Sequence, residues 1–331
     1  MPISAWLRPG VVLLCACAHA PAKPAEPGGA TWSEASGLHQ VRFVTVDPGV
    51  DLEVLDWGGT GPPVVLLAGL SNSAHVFDDF APALTDRFHV YGLTRRGWGT
   101  SSVPETGYGL PRLVVDLQRA FDALGLARVT LVGHSAAGDE VTAFASAYPG
   151  RVERLIYLDA AYDRSDAATR PEALGDCNNV APPTEADIAS ASAFGAWFAR
   201  SRGAALPESE VHMLFEHHGP SEAAAMEYMT SLQHPGYARV SAPALALYAV
   251  PESAADFYPA WTTMDEAARA KAQACFEQGQ EQVVGKASRA DFRAHAPRGQ
   301  VVELLHAKHY LFISNRAEVL EAVRTFLAPV R

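Results

Sequence analysis

Short apolar runs alternate with amphipathic segments through the body of this chain. Residues 40–46 and 52–57 have the alternating, β-branched pattern of two antiparallel strands, with a turn around Asp47-Pro48-Gly49 between them. Residues 63–68 form a continuous apolar run, which is typical of a strand buried on both faces of a parallel sheet. Further strands are predicted at residues 88–93, 129–132, 152–158, 242–249 and 301–305.

Helical patterns lie between most of these strands. They are predicted at residues 75–84, 110–124 and 317–327, and one or two more at residues 263–296. Strands separated by helices of this length require crossover connections, so the chain predicts an α/β fold with a mostly parallel, doubly wound sheet. Residues 162–241 interrupt the alternation, and their composition predicts helices at residues 185–198, 208–217 and 221–233.

The first 20 residues have the pattern of an export signal. Arg8 precedes an apolar run at residues 11–18 that is too short to span a bilayer as a helix. The sequence Leu-Cys-Ala-Cys at residues 14–17 resembles a bacterial lipoprotein box in which Cys17 would carry the lipid, and ordinary cleavage after Ala18 is the alternative. Residues 19–37 are rich in Pro, Ala and Gly and predict a flexible linker. We therefore expect a signal peptide at residues 1–18 and an exported protein that is periplasmic, lipid-anchored or secreted.

Composition narrows the function classes. With 331 residues, of which 48% are hydrophobic and 19% charged, the chain can bury a large core. Its net charge of -11 argues against a nucleic-acid partner, because such proteins normally present a basic face. The four cysteines form no CxxC pattern, and we expect neither a metal nor a cofactor. In an exported protein Cys177 and Cys275 could form a disulfide, and two isolated buried thiols are the alternative.

A serine lies at a tight turn between a predicted strand and a predicted helix. The turn, Gly-His-Ser-Ala-Ala-Gly, spans residues 133–138. Such a turn holds the Ser135 side chain clear of the backbone and places the Ala136 amide at a helix N-terminus, where an oxyanion could bind. A helix-capping serine is the alternative. As a nucleophile, Ser135 needs a base within hydrogen-bond reach and a third group that orients the base.

Several motifs in order make the chain resemble the α/β-hydrolase superfamily over most of residues 40–331. They are the Gly69-Leu70 pair after a strand, the Arg-Gly-Trp-Gly-Thr-Ser segment at residues 96–101, the Gly-His-Ser turn and a late His309. The family's elbow is usually G-x-S-x-G, whereas here Ala137 stands in the fifth position and a glycine follows it. Alanine is small enough to keep the helix close to the strand.

The resemblance implies the architecture of the family and the roles of individual residues. It implies an α/β-hydrolase core at residues 38–161 and 242–331, with a helical cap at residues 162–241 inserted after the strand that ends at Asp159. His309 is the expected base, and the neighbouring His306 is expected to be structural. The amides of Leu70 and Ala136 are the expected oxyanion donors.

Two carboxylates compete for the role of the acid that orients His309. Counting from the strand at residues 242–249 places Glu252 where the family's aspartate commonly stands, and this count favours Glu252. Some family members draw the acid from the position of Asp159, although a strand-end aspartate can also simply bond the next loop. Asp256 remains a third candidate.

These features predict a serine hydrolase that acts on carboxylic esters through an acyl-enzyme on Ser135, ahead of thioesters or amides. A serine at the elbow disfavours the epoxide and haloalkane chemistries, which use an aspartate there in this superfamily. The alternative is a non-hydrolytic lyase or a small-molecule binding protein with the same fold. The expected partner is a small ester-like substrate, with membrane attachment only through a lipid on Cys17.

Overall fold

A computed structural model describes residues 33–35, 37–165, 177, 182–217, 219–278 and 285–328. The predicted signal peptide and Cys17 lie outside the described residues. Within the predicted linker, Ser33–Ala35 form a strand, so regular structure begins before residue 38. Among the helices described, none is both long and apolar enough to cross a bilayer.

The described strands form one sheet in the order β1-β2-β3-β5-β4-β6-β7-β8-β9. Their bounds are β1 Ser33–Ala35, β2 His39–Asp47, β3 Val50–Gly58, β4 Pro63–Leu67, β5 His89–Leu93, β6 Val129–His134, β7 Val152–Leu158, β8 Ala244–Val250 and β9 Gly299–Leu305. Pairing is antiparallel from β1 to β3 and between β3 and β5, and parallel from β5 across to β9. The mostly parallel, doubly wound sheet predicted from the sequence is confirmed.

Helices cover both faces of this sheet. Their bounds are α1 Leu110–Ala123, α2 Ala137–Ala147, α3 Ala191–Arg202, α4 Glu208–Glu216, α5 Glu222–Ser231, α6 Ala254–Phe257, α7 Glu266–Gln278, α8 Lys286–His295, α9 Leu311–Ser314 and α10 Arg316–Leu327. Val65 and Leu67 of β4 pack into one core with α1 and α2, whereas Val64 and Leu66 pack into a second core with α10. Because side chains alternate along a strand, a strand covered on both faces must be apolar at every position.

One predicted helix differs from the structure. Residues 75–84 form two short 3₁₀ helices, Ala74–Phe77 and Ala81–Leu84, instead of one α-helix. Pro82 explains the break, because proline lacks the N–H that an α-helix needs in its interior and disfavours a helical conformation at the residue before it. The second short helix begins at Ala81, and Pro82 is its second residue.

The segment between β7 and β8 contributes α3, α4 and α5. Their bounds differ from the predicted ones mainly at α3, which begins at Ala191 because the Ser190 hydroxyl caps it by accepting the Ala193 N–H. Helix α4 packs against the 3₁₀ helix Ala74–Phe77, and α5 packs against α1. A disulfide joins Cys177 of this segment to Cys275 of α7, with their Cα atoms 5.5 Å apart.

Candidate active site

Ser135 stands at a sharp turn between β6 and α2. Its φ is 52°, in the left-handed region that residues other than glycine rarely adopt. The Ser135 N–H donates to the Leu158 carbonyl at 3.2 Å, and the Ser135 carbonyl accepts the Gly138 N–H at 2.9 Å. These bonds fix the strained turn to the end of β7 and to the first turn of α2. The sequence therefore forms a strained strand-to-helix turn, the geometry that presents the nucleophile in proteins with a nucleophile elbow.

The sixth residue of the elbow motif, Gly138, lets α2 approach the sheet. A Cβ added at Gly138 would lie 2.1 Å from the Ala160 carbonyl oxygen, which no side chain can tolerate. Ala137 in the fifth position is fully buried and its methyl group fits. The departure from G-x-S-x-G therefore moves the close backbone contact by one residue and keeps the turn.

His309 and Asp159 form a close side-chain pair. The Nδ1 atom of His309 lies 2.6 Å from Oδ2 of Asp159. The other oxygen, Oδ1, accepts the Ala249 N–H at 3.0 Å and the Tyr162 hydroxyl at 2.6 Å. The Asp159 side chain is only 8% exposed, whereas that of His309 is 43% exposed. A buried carboxylate with both oxygens bonded therefore fixes one edge of the imidazole and leaves Nε2 for chemistry.

His134, the residue before the serine, holds the backbone of His309. Its Nε2 donates to the His309 carbonyl at 3.1 Å, and the two rings lie 4.7 Å apart. Complete burial keeps the pKa of His134 well below its usual value, so the ring stays neutral. A neutral ring that donates from Nε2 carries its proton there. The elbow and the histidine loop are thus joined directly.

Among the described residues, Glu252 contacts His306 and not His309. The Glu252 carboxylate lies 3.1 Å from Nε2 of His306, and Asp256 lies 2.9 Å from Nδ1 of the same ring. Strand β8 extends to Val250, one residue beyond its predicted end. Glu252 follows in the next loop, and its side chain is exposed. The other candidate, Asp159, follows β7, which lies next to β6 in the sheet, so its loop meets the serine loop.

The loop after β4 carries Leu70 and runs against the serine. A Cβ added at Gly69 would lie 3.0 Å from Cβ of Ser135, so the loop and the serine are tightly packed here. The Asn72 N–H donates to the Gly69 carbonyl at 3.2 Å and closes a turn in which Ser71 has a φ of 70°. On the other side of Ser135, Ala136 precedes the first residue of α2. Gly69, the residue before Leu70, therefore lies against Ser135, and Ala136 follows Ser135 in the chain.

Sequence reasoning missed Arg95, which holds the same loop from the core side. Its guanidinium donates to the Gly69 carbonyl at 2.6 Å and to the Ala68 carbonyl, and it forms an ion pair with Glu140 of α2 at 2.8 Å. Both side chains of this pair are buried. The signal in the sequence was an arginine two residues after the end of a buried strand. A buried charge is normally paired, so an arginine at such a place indicates a nearby acid.

Glu210 of α4 contacts this loop from the opposite side and was also missed. Its carboxylate accepts hydrogen bonds from Asn72 Nδ2 at 2.8 Å, from the Ser73 N–H at 3.1 Å and from the Ser73 hydroxyl. The residue is completely buried, and burial raises its pKa to about 7 despite these donors. Asn72 Oδ1 in turn accepts the Tyr310 hydroxyl at 2.9 Å, beside His309.

A buried cluster behind this loop holds three groups with metal-ligating atoms within 4.8 Å of one another: His39, His75 and Asp78. Asp78 lies 2.9 Å from Nδ1 of His39 and 3.3 Å from Nδ1 of His75, whose Nε2 lies 3.3 Å from Glu53. Although burial opposes its charge, hydrogen bonds to Asp78 and Glu53 raise the pKa of His75 to about 10. The imidazolium therefore neutralises these carboxylates, and Asp78 also accepts the Trp57 indole N–H. This arrangement favours an ion-pair network over a metal site.

Comparison with known proteins agrees with the geometry. A family model described as alpha/beta hydrolase fold matches residues 62–316. The chain is 36% identical over 118 residues to a provisionally assigned carbamate hydrolase of Caulobacter segnis, which covers 35% of this chain and 44% of that protein. It is 37% identical over 103 residues to a soluble epoxide hydrolase of a Corynebacterium species, which covers 30% of this chain and 35% of that protein. The chain thus spans less than half the length of these relatives.

Solved structures share the fold at lower identity. A thermophilic esterase from Thermogutta terrifontis is 23% identical, with a TM-score of 0.60 over 87% of this chain and 97% of that chain. At this sequence identity, the structural similarity shows a shared fold only.

Proposed function

Because the chain belongs to the α/β-hydrolase fold family, we propose that it is a serine hydrolase that cleaves carboxylic esters. The observation that carries this proposal is the 2.6 Å contact between His309 and the buried Asp159, beside the strained elbow at Ser135. Serine, histidine and a buried acid are the three groups of a serine-hydrolase triad, and here they follow β6, β9 and β7 at the carboxyl edge of the sheet. In this proposal Asp159 is the acid.

The proposed reaction proceeds in two halves. His309 Nε2 takes the hydroxyl proton as Ser135 Oγ attacks the ester carbonyl carbon, and the imidazolium then gives this proton to the departing alcohol. Water attacks the resulting acyl-enzyme with the same histidine as base, which releases the acid and restores the serine. Asp159 stabilises the imidazolium and keeps the proton of the neutral ring on Nδ1.

The amides of Leu70 and Ala136 are the proposed oxyanion donors. The close approach of Gly69 to Ser135 and the place of Ala136 directly after Ser135 support this role toward a negative charge that develops on the carbonyl oxygen. Each such donor commonly contributes about 2.7 to 4 kcal/mol to transition-state stabilisation. Because backbone amides supply the bonds, the apolar side chains at these positions are compatible with the role.

The serine favours ester cleavage over the epoxide hydrolysis named for one relative. Opening an epoxide with a hydroxyl would leave an alkyl ether on Ser135, and water does not cleave such an ether at neutral pH. A carbonyl substrate instead leaves an acyl ester, which a water activated by His309 can hydrolyse. The residue at position 135 therefore separates the two chemistries.

We also propose that residues 162–241 act as a cap over the site. Tyr228 of α5 donates to the Ala136 carbonyl at 2.9 Å, and Glu210 of α4 bonds the loop that carries Leu70. The Ala136 backbone thus contacts a helix of the inserted segment directly. The loop of Leu70 contacts another of these helices through Asn72 and Ser73.

Export remains a proposal and is supported by the disulfide. A bond between Cys177 and Cys275 suits an oxidising compartment, because cytosolic thiols are kept reduced. Mass spectrometry of the mature N-terminus tests this: cleavage before Cys17 with a lipid mass, or after Ala18 without one, supports export. An intact Met1 would contradict it.

A fluorophosphonate probe and short-chain p-nitrophenyl esters test the hydrolase proposal. We expect the probe to label Ser135, and the Ser135→Ala variant to lose both labelling and turnover. Unlabelled wild-type protein that turns over none of these esters would overturn the proposal. Labelling without turnover of esters, thioesters or amides would point instead to the non-hydrolytic use of the fold.

The assignment of the acid gives a direct prediction. Asp159→Asn should lower kcat on the order of 10⁴-fold, because the amide no longer stabilises the imidazolium or its correct tautomer. Glu252→Gln is the matched control and should leave kcat within about two-fold, because an exposed contact to His306 contributes little. Steady-state kinetics on one ester decides, and a larger loss in Glu252→Gln would return the role to that residue.

A further inference from the structure

The turn that carries Leu70 is strained. Residues 69–72 close through the Asn72 N–H and the Gly69 carbonyl, and Ser71 has a φ of 70° within it. A serine in this region is unfavourable on its own and persists only when surrounding contacts hold it. The hydroxyl of Ser71 is buried without a hydrogen-bond partner, so its side chain does not supply the hold.

Glu210 bonds the two residues that directly follow the strained serine. Its Oε1 accepts from the Asn72 amide at 2.8 Å and from the Ser73 N–H at 3.1 Å, and its Oε2 accepts from the Ser73 hydroxyl. Asn72 has no freedom to flip, because its Oδ1 accepts the Tyr310 hydroxyl at 2.9 Å. The Asn72 side chain and the Ser73 backbone, at the end of the turn, are thus both held in place.

The hold comes from the inserted segment and reaches the histidine loop. Glu210 lies on α4, and Tyr310 directly follows His309 in the chain. Phe198 of α3 packs edge-on against the Tyr310 ring, with 5.5 Å between the centroids. One buried carboxylate therefore ties the insertion to the loop of one expected oxyanion donor, with Tyr310 as the link to the expected base.

We infer that Glu210 is a positioning residue, which holds the 69–72 turn so that the Leu70 amide faces the developing oxyanion. The inference rests on the proposed hydrolase function. It makes full activity depend on docking of α4, because the hold is lost when this helix leaves the turn. A misplacement of about 1 Å at a reacting centre can cost on the order of 10²-fold in rate.

Two variants of Glu210 separate positioning from charge. Glu210→Gln can keep all three bonds, because its amide oxygen still accepts from Asn72 and from the Ser73 N–H while its amide N–H donates to the Ser73 hydroxyl. Glu210→Ala removes the acceptor for the Asn72 side-chain amide, the Ser73 N–H and the Ser73 hydroxyl proton. We expect kcat to fall about 10- to 100-fold in the alanine variant, with KM changed less than about three-fold, and to fall far less in the glutamine variant.

Two controls exclude a general loss of stability. Glu216→Ala removes an exposed acid from the same helix, and Val323→Ala opens a small cavity in the core beneath α10. Both should keep kcat within about two-fold when assayed well below their unfolding temperatures. A kcat for Glu210→Ala that matches that of Val323→Ala, at equal folded fraction, would overturn the inference.

Hydrogen exchange of the amides at residues 70–77 tests the same hold without any substrate. Faster exchange there in Glu210→Ala, and unchanged exchange in Glu210→Gln and Glu216→Ala, supports the inference. Unchanged exchange in Glu210→Ala contradicts it. This measurement also separates the two proposals, because it reports on the turn even if the wild-type protein hydrolyses no ester and the proposed function falls.

Discussion

At the scale of single residues, backbone strain marks the candidate site. The non-glycine residues with positive φ in the described part of the chain are Ser71, Ser135, Asp159 and His306. Ser135, Asp159 and His306 directly follow the carboxyl ends of strands, and Ser71 lies in the loop after β4, next to Leu70. Strained residues persist where surrounding bonds hold them, and they cluster at sites that need side chains at fixed angles.

Gly138 gives a prediction at this scale. Gly138→Ala should lower the free energy of unfolding by about 1 to 3 kcal/mol, because the new methyl group meets the Ala160 carbonyl and forces α2 away from β7. The same shift should slow phosphonate labelling of Ser135. Urea unfolding and labelling kinetics measure the two effects.

Gly150→Ala is the control for this substitution. A Cβ there has no neighbour within 4 Å, so stability and labelling should stay close to wild type. Equal behaviour of the two variants would show that Gly138 is not the residue that lets the helix approach.

At the scale of elements, the sequence predicted the positions of strands better than the contacts of side chains in the loops after them. Apolar runs such as residues 63–68 identify buried strands, because both faces of the sheet demand apolar side chains. Counting along the chain favoured Glu252, but it does not show which way a loop turns after its strand, and Glu252 contacts His306. Asp159 reaches His309 through the order of strands in the sheet, which is a tertiary property. The short helices around Pro82 show the same limit, since one proline outweighed an amphipathic pattern.

The disulfide gives a prediction for the inserted segment. Cys177 and Cys275 are 98 residues apart in sequence, so the bond restricts the unfolded chain across β8 and α6. Replacing both by alanine should lower the free energy of unfolding by about 2 to 4 kcal/mol. Thermal unfolding with and without a thiol reductant measures this. The reductant should lower the Tm of the wild type and leave that of the double variant unchanged, and an insensitive wild type would contradict the bond.

At the scale of the whole molecule, buried ionisable side chains hold the loop of Leu70 from two sides. Arg95, which is paired with Glu140, binds it from the core, and Glu210 binds it from the inserted helices. Ser135 and His309 could be found as motifs in the sequence, because their chemistry fixes the residue type. The supporting charges could not be found this way, because an acid in a helix such as α4 has the same local pattern whether it is solvated or buried.

Protonation of Glu210 links this arrangement to pH. The charged and titratable groups around it are His75 and Asp78 on the adjacent 3₁₀ helix and Tyr310 on the histidine loop, with Arg202 of α3 acting on Tyr310. Burial raises the pKa of Glu210 from 4.5 to about 7, so the folded protein binds a proton there that the unfolded chain releases above pH 4.5. The stability associated with this proton is present below pH 4.5 and is lost as the pH rises to about 7.

We therefore expect the free energy of unfolding of the wild type to fall between pH 5 and pH 7 as Glu210 loses its proton. Glu210→Gln should remove this contribution. Over the full range the wild-type contribution is on the order of 3 kcal/mol, from about 1.4 kcal/mol for each unit of pKa shift. Urea unfolding at pH 5, 6 and 7 measures it, with the exposed Glu216→Gln as the control for a change in net charge. The wild type and the control should lose stability over this range, and Glu210→Gln should lose less. Parallel curves for all three proteins would mean that Glu210 is charged throughout the range, held by the three donors and the nearby His75 cation.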